Sequence, residues 1–299
     1  MNYVVITGVS TGIGFAAAEH LIQNGYHVFG SVRKSEDAKR VQSSLGQEFT
    51  PLIFDVTDPP AVSRAVDEVE STIGEHGLRG LVNNAGICLI GPLMHMRDDE
   101  FRRQFEVNVF GLLDVTRKFL PLVGAQRNCA FAPGRVVNIS SVSGRVAYPF
   151  LGAYASSKFA VEAISDSLRR ELMLYGIDVI LVEPGAIQTP IWDKGLEIDL
   201  SEYDTTDYKA ILRNLHTDLE GQKNGARPVS DVCRVIHTAL TRRRPKTRYV
   251  IPNSRVSRWW APRLLPDRWL DFCVQQALRI RLPKPIAMTS HAEKAEERS

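Results

Sequence analysis

Cysteine is scarce in this chain and scattered. Its four cysteines, Cys88, Cys129, Cys233 and Cys273, show no paired spacing. That excludes a disulfide framework and a zinc motif. Reduced, mostly buried thiols are expected, as in a reducing compartment. The seven histidines are equally dispersed, with no pair at ligand spacing, so no metal is expected. Long apolar runs are missing too; none approaches the roughly 20 residues that span a bilayer. No secretion signal is read ahead of the first strand, so a cytoplasmic location is expected. Asn138-Ile139-Ser140 fits a glycosylation acceptor but lies in an apparent core strand, and is discounted. The net charge is only +3, which gives no argument for a nucleic-acid partner.

What is present is a chain of 299 residues, 44% of them hydrophobic. That suffices for one large domain or two small ones. Residues 3–7 form a short apolar, β-branched run that reads as a buried strand. Gly8, Gly12 and Gly14 follow at once, and residues 15–23 read as a helix ending near Gly25. Strand, glycine-rich turn, helix is a phosphate cradle. Glycine lets the backbone turn tightly against a pyrophosphate, and the helix N-terminus offers free N–H groups. Residues 26–32 read as the second strand. An acid at its end would bind the 2′-hydroxyl of an adenosine ribose and repel a 2′-phosphate. Here stand Ser31-Val32-Arg33-Lys34 and no acid. Arg33 is placed to pair with a 2′-phosphate, which favours NADP, with NAD as the alternative.

Further strands are read at 52–54, 78–82, 136–139, 177–182 and 249–251, and helices at 58–73, 97–123, 154–175 and 228–240. Asp58 followed by two prolines reads as a helix N-cap. Asn108 lies within an apolar helix face and needs hydrogen-bond partners, as a kink stabiliser or a functional group. The alternation of strands and helices implies a parallel, doubly wound sheet of about seven strands, helices on both faces. Between strand 136–139 and the next helix lies SVSGRVAYPFLGAYASSK. Tyr154 and Lys158 stand four apart, on one face of a helix. An ammonium beside a phenol favours the phenolate, and a tuned tyrosine is a usable proton donor or acceptor. Ser141 is expected at the strand end.

Taken together these residues resemble the short-chain dehydrogenase/reductase family. The resemblance rests on Thr7-Gly8, Gly12-Ile13-Gly14, Asp55-Val56, Asn83-Asn84-Ala85-Gly86, Asn108, Ser141, Tyr154, Lys158 and Pro184-Gly185 with Thr189. These pieces stand in the family's order over roughly residues 1–250. NNAGICLIGPL, FEVNVFG and VEPGAIQTPIW look most like its hydroxysteroid and retinol dehydrogenase branch.

The resemblance implies roles. Gly8, Ser10, Thr11, Gly12, Ile13 and Gly14 would cradle the pyrophosphate. Arg33 would meet the 2′-phosphate, and Asp55 and Val56 would hold the adenine edge. Asn83, Ala85 and Gly86 would steady the sheet and line the cofactor groove. Pro184, Gly185, Ile187 and Thr189 would flank the nicotinamide. Tyr154 would be the general acid or base. Lys158 would lower its pKa and bond the nicotinamide ribose. Ser141 would donate to the substrate oxygen, and Asn108 would hold a water in a proton relay. A homodimer or homotetramer pairing through the Asn108 and Tyr154 helices is implied as well.

The expected activity is NADP(H)-dependent interconversion of a secondary alcohol and a carbonyl on a lipophilic, steroid- or retinoid-like substrate. The other readings are an NADP-binding sensor or scaffold without chemistry, and a nucleotide-sugar epimerase or dehydratase. The sensor is disfavoured because Asn108, Ser141, Tyr154 and Lys158 are all intact, the epimerase by the glycine spacing. Residues 1–252 are expected as the catalytic domain, with 187–227 a partly helical cover over the site. Residues 253–286 read as a helical extension and 287–299 as a disordered tail. The stretch 255–282 mixes Trp259, Trp260, Leu264, Leu265, Trp269 and Phe272 with arginines. It reads as a flap lining an apolar substrate entrance; the alternative is peripheral contact with a membrane surface.

Overall fold

The computed structural model describes residues 1–189, 200–215, 225–254 and 261–280. Parts of the expected cover, Trp259, Trp260 and the expected tail lie outside the described residues. Seven parallel strands form one sheet in the order β3-β2-β1-β4-β5-β6-β7. They are β1 (Asn2–Ile6), β2 (Tyr26–Val32), β3 (Phe49–Ile53), β4 (Leu78–Asn83), β5 (Arg135–Ile139), β6 (Asp178–Pro184) and β7 (Arg248–Ile251). Central strands of such a sheet are buried on both faces, which is why they read as unbroken apolar runs. The pleat divides them. Val4 and Ile6 of β1 join one core cluster, and Val5 joins the other.

One face carries α1 (Gly12–Gln23), α2 (Ser35–Leu45) and α7 (Val229–Thr241), which supply Leu21, Val41 and Ile236 to the first cluster. The opposite face carries α3 (Pro59–Ile73), α5 (Leu112–Val123) and α6 (Gly152–Glu171), which supply Val69, Phe119 and Leu168. Asp58 caps α3 as expected, its carboxylate accepting the Ala61 N–H at 3.1 Å.

Three local outcomes depart from the sequence reading. Helix α2 was not foreseen; it buries only Ala38 and Val41, too narrow a stripe to stand out. Strand β3 begins at Phe49, before Pro51. Proline is tolerated there because β3 is the outermost strand and its far edge needs no donor. The expected long helix is three pieces: α4 (Asp98–Phe105), a π-helical segment (Glu106–Gly111) and α5. Asn108 sits in the π turn. Such widened turns frequently mark functional sites.

The strand order reverses between β1 and β4. In parallel α/β sheets a crevice opens outside the strand ends at such a switch point. The segments leaving β1 and β4 are Thr7–Gly12 and Asn84–Gly86. The helical extension comprises α8 (Ala261–Leu264) and α9 (Asp267–Ala277). Leu278 and Val274 pack with Phe150, Tyr203 and Leu212 in a cluster of their own.

Candidate active site

A cleft of about 1690 Å³ opens at the switch point. That exceeds an ordinary small-molecule pocket of about 300–1,000 Å³ and leaves room for two ligands. The end at the glycine turn is made of backbone. Gly8 has φ +72°, and a Cβ there would meet Ala85 Cα at 3.0 Å. A Cβ on Gly14 would lie 2.2 Å from the Gly8 carbonyl oxygen. Gly8, Ser10, Thr11, Gly12 and Ile13 line the cleft; Gly14 does not, and serves to seat α1 on the turn. The turn is held by its neighbours. Gly8 N–H donates to Ser31 Oγ at 2.9 Å, and Arg40 Nη2 donates to the Ser10 carbonyl at 2.8 Å.

Arg33 stands at the rim of the cleft with Lys34, its side chain 65% exposed and 4.0 Å from Asp55. Asp55 and Val56 line the same end. Asp55 Oδ1 accepts from the Thr57 N–H and hydroxyl at 3.0 and 2.8 Å.

The two adjacent asparagines divide differently from the expectation. Asn83 does not line the cleft. Its amide is buried in the sheet, donating at 2.8 Å to Thr116 Oγ1 and to Asn138 Oδ1. The next residue faces the site instead. Asn84 Nδ2 donates to the carbonyls of Thr7 and Gly8 at 2.9 and 3.0 Å. Ala85 and Gly86 line the cleft as expected. Asn138, the apparent glycosylation site, is wholly buried in the asparagine ladder.

Ser141, Tyr154 and Lys158 all line the cleft at its other end. Ser141 leaves β5, accepts the Ser143 N–H at 3.1 Å, and donates to the Pro184 carbonyl at 3.4 Å. Lys158 Nζ donates to the Ile139 carbonyl at 2.9 Å and stands 5.8 Å from the Tyr154 ring centre. Pro184, Gly185, Ile187 and Thr189 form the adjoining wall.

Burial dominates the electrostatics of Tyr154 and Lys158. Burial pushes the Tyr154 phenol up, the Cys88 charge adds to this, and a hydrogen bond with Ser141 pulls it down. Burial lowers Lys158 to about 8, against the pull of Cys88 and Glu162. Cys88 itself is pushed up to about 12 by burial, with Lys158 opposing. Cys233 is buried, Cys88 and Cys129 are partly buried and Cys273 is exposed, so the thiols are less uniformly buried than expected.

Asn108 does not line the cleft. It lies behind the floor with its side chain fully engaged. Its Oδ1 accepts the Ile87 N–H at 2.9 Å, and its Nδ2 donates to the Ile87 carbonyl and to Ser157 Oγ, both at 3.0 Å. Gln104, unnoticed in the sequence, grips the same segment through Leu89 N–H at 2.8 Å and the Ile87 carbonyl at 2.7 Å. Beyond Tyr154 the cleft is lined by Leu89, Ile90, Val142, Leu151, Leu270 and Val274. The last two come from α9 of the extension. No cluster able to hold a metal occurs among the described residues, and no helix among them is long and apolar enough to cross a membrane.

This fold, with a glycine-rich turn at the switch point and a serine, tyrosine and lysine at the far end, defines a class. The sequence profile of the short chain dehydrogenase family matches residues 2–197, and the chain belongs to that family. It is an oxidoreductase. An NADPH-dependent 3-dehydrocapnine reductase of Ornithobacterium rhinotracheale is 45% identical over 271 residues, covering 91% of this chain and 95% of that protein. Mouse retinol dehydrogenase 5 is 36% identical, covering 96% of this chain and 91% of its own. A short-chain dehydrogenase from Streptomyces avermitilis shares the fold, with TM-score 0.71, 24% identity, and 93% and 95% of the two chains covered. A second structure, titled ElxO with NADP bound, superposes with TM-score 0.67 at 26% identity, covering 84% and 96%.

Proposed function

We propose that the chain is an NADP(H)-dependent oxidoreductase that reduces a carbonyl group on a lipophilic substrate. The observation that carries this reading is one cleft with a glycine turn and Arg33 at one end, and Ser141, Tyr154 and Lys158 at the other. The residues present fit a dinucleotide. Gly8 has φ +72° and its missing Cβ leaves the turn packed directly on Ala85, beside the cleft that a pyrophosphate would enter, and two cations without a rival acid in Ser31–Lys34 suit a 2′-phosphate. The relative named as NADPH-dependent supports the same choice.

In this reading Gly8 to Ile13 hold the pyrophosphate, Arg33 the 2′-phosphate, Asp55 and Val56 the adenine edge, and Lys158 the nicotinamide ribose. A bound nicotinamide supplies or accepts the hydride. Ser141 donates a hydrogen bond to the carbonyl oxygen, where negative charge develops. Tyr154 gives that oxygen its proton. A phenol raised by burial is protonated at neutral pH, which suits the reducing direction. Asn108 and Gln104 act at one remove, by fixing Ile87 and Leu89 in the cleft wall.

The lipophilic substrate follows from the side chains between Leu89 and Val274 that line the far end. Residues 1–252 form the catalytic unit and 261–280 its flap. Peripheral membrane contact remains a second reading, because Leu264, Trp269 and Phe272 are 74, 66 and 58% exposed on the extension. Sedimentation with anionic vesicles tests it. Pairing through α4, the π segment and α6 is supported by exposed Phe101, Phe110 and Phe159, and light scattering tests that.

The experiment for the activity follows reduced-nicotinamide absorbance with NADPH and NADH over a panel of steroid, retinoid, aliphatic and aromatic carbonyls. The expected result is turnover preferring NADPH that falls at least about 1,000-fold in Tyr154→Phe, with NADPH binding kept. A variant as fast as the parent overturns the mechanism.

A further inference from the structure

Behind the floor of the cleft lies a second ionic cluster that no step above uses. Glu183 stands on β6 directly before its last residue, Pro184, and is fully buried. Glu162 is buried on α6, one turn beyond Lys158. Arg145 Nε lies 3.3 Å from Glu162 and 3.8 Å from Glu183. Arg248 Nε, from β7, lies 3.0 Å from Glu162 and 3.3 Å from Glu183. Arg248 also reaches Asp166 at 2.7 Å, and Arg169 reaches Asp166 at 3.4 Å.

Two observations set this cluster apart from an ordinary buried ion pair. Both Glu183 oxygens and Glu162 Oε1 are buried and accept no hydrogen bond among the described residues. Leaving such oxygens without donors is costly. A single proton held between the two carboxyls makes one a donor to the other and engages two of these three oxygens; the third faces the cluster's own unpartnered donors, Arg145 Nε and Arg248 Nη2. In addition, each member is joined to the site. Glu162 shares α6 with Tyr154 and Lys158. Glu183 precedes Pro184, whose carbonyl takes the Ser141 hydroxyl. Arg145 follows the short 3₁₀ turn Val142–Gly144 that Ser141 caps.

We propose that Glu162 and Glu183 are positioning residues that share one proton, and that losing it places a second negative charge behind Lys158. This rests on the role given above to Lys158. The carboxyl O–H breaks, the proton leaves to solvent, and Lys158 then holds its own proton more tightly. Burial and the Glu162 charge push Glu183 up to about 7, against Arg145 and Arg248. Glu162 and Cys88 are the groups that pull Lys158 upward. Burial thus holds the Glu183 proton on and loosens the Lys158 proton, moving the two groups towards each other.

Infrared spectroscopy of the full chain tests the pair directly. The carbonyl stretch of a protonated carboxylic acid is expected to fade with a midpoint near pH 7, and to be missing in Glu183→Gln. No such band in the parent protein, or an unchanged band in Glu183→Gln, overturns the proposal. Its consequence is read from NADPH fluorescence titrations across pH. Glu183→Gln is expected to move the loss of affinity at high pH downward by on the order of one unit, with its thermal melt showing that it folds. An unmoved midpoint overturns the link to Lys158. If Lys158→Met binds NADPH as tightly as the parent, the site reading fails instead, while the infrared band still reports on the pair alone.

Discussion

The two ends of the cleft are built on different terms. The end at the glycine turn is backbone held at strand termini. Gly8, Gly12 and the Asn84 amide fix its shape through contacts that side-chain identity elsewhere barely alters. The far end is assembled from side chains of distant segments, Leu89 to Val142 to Leu270, the last from a helix at the other end of the chain. Rigid backbone suits a ligand that never changes. A surface of replaceable apolar side chains suits one that differs between relatives, and this chain's relatives are named for different substrates.

If that contrast holds, substitutions at the two ends should fail differently. The largest effect is expected at Gly14→Ala, whose new Cβ would lie 2.2 Å from a backbone oxygen and 2.5 Å from Asn84 Nδ2. A loss of about 3 kcal/mol in urea denaturation is expected; a neutral result would show the turn to be soft. Next is Arg33→Ala. Removing one charge-assisted contact costs about 2 kcal/mol, roughly 30-fold in NADPH affinity, with NADH affinity and stability unchanged. An equal loss for both cofactors would deny Arg33 its phosphate. The smallest is Val274→Ala at the far end. About 1 kcal/mol of apolar contact predicts a roughly fivefold rise in KM for a long-chain carbonyl, none for a short one, and no change in NADPH binding. A change in NADPH binding would mean that α9 serves both ends.

The same contrast decided what the sequence could disclose. The core strands and the glycine turn were legible because burial on both faces demands unbroken apolar runs, and close backbone approach demands glycine. Tyr154 and Lys158 were legible through helical spacing. Asn83 and Asn84 were harder: consecutive residues at a strand end point opposite ways, and composition does not say which one faces the cleft. Arg40 and Gln104 bond backbone carbonyls 30 and 17 positions away, so no local pattern marks them. The carboxylate pair was invisible for the same reason. Its members read as one charged residue on a helix and one at a strand end, and only the sheet brings them together.

That pair also bears on how the chain is made. Arg248 meets Glu162 across 86 positions and belongs to the last strand of the sheet. A nascent chain that stops short of β7 would have to bury two acids with one of their two clasping cations missing, and an uncompensated buried charge is strongly destabilising. The seventh strand therefore brings the second cation to two acids that α6 and the sixth strand have already set side by side.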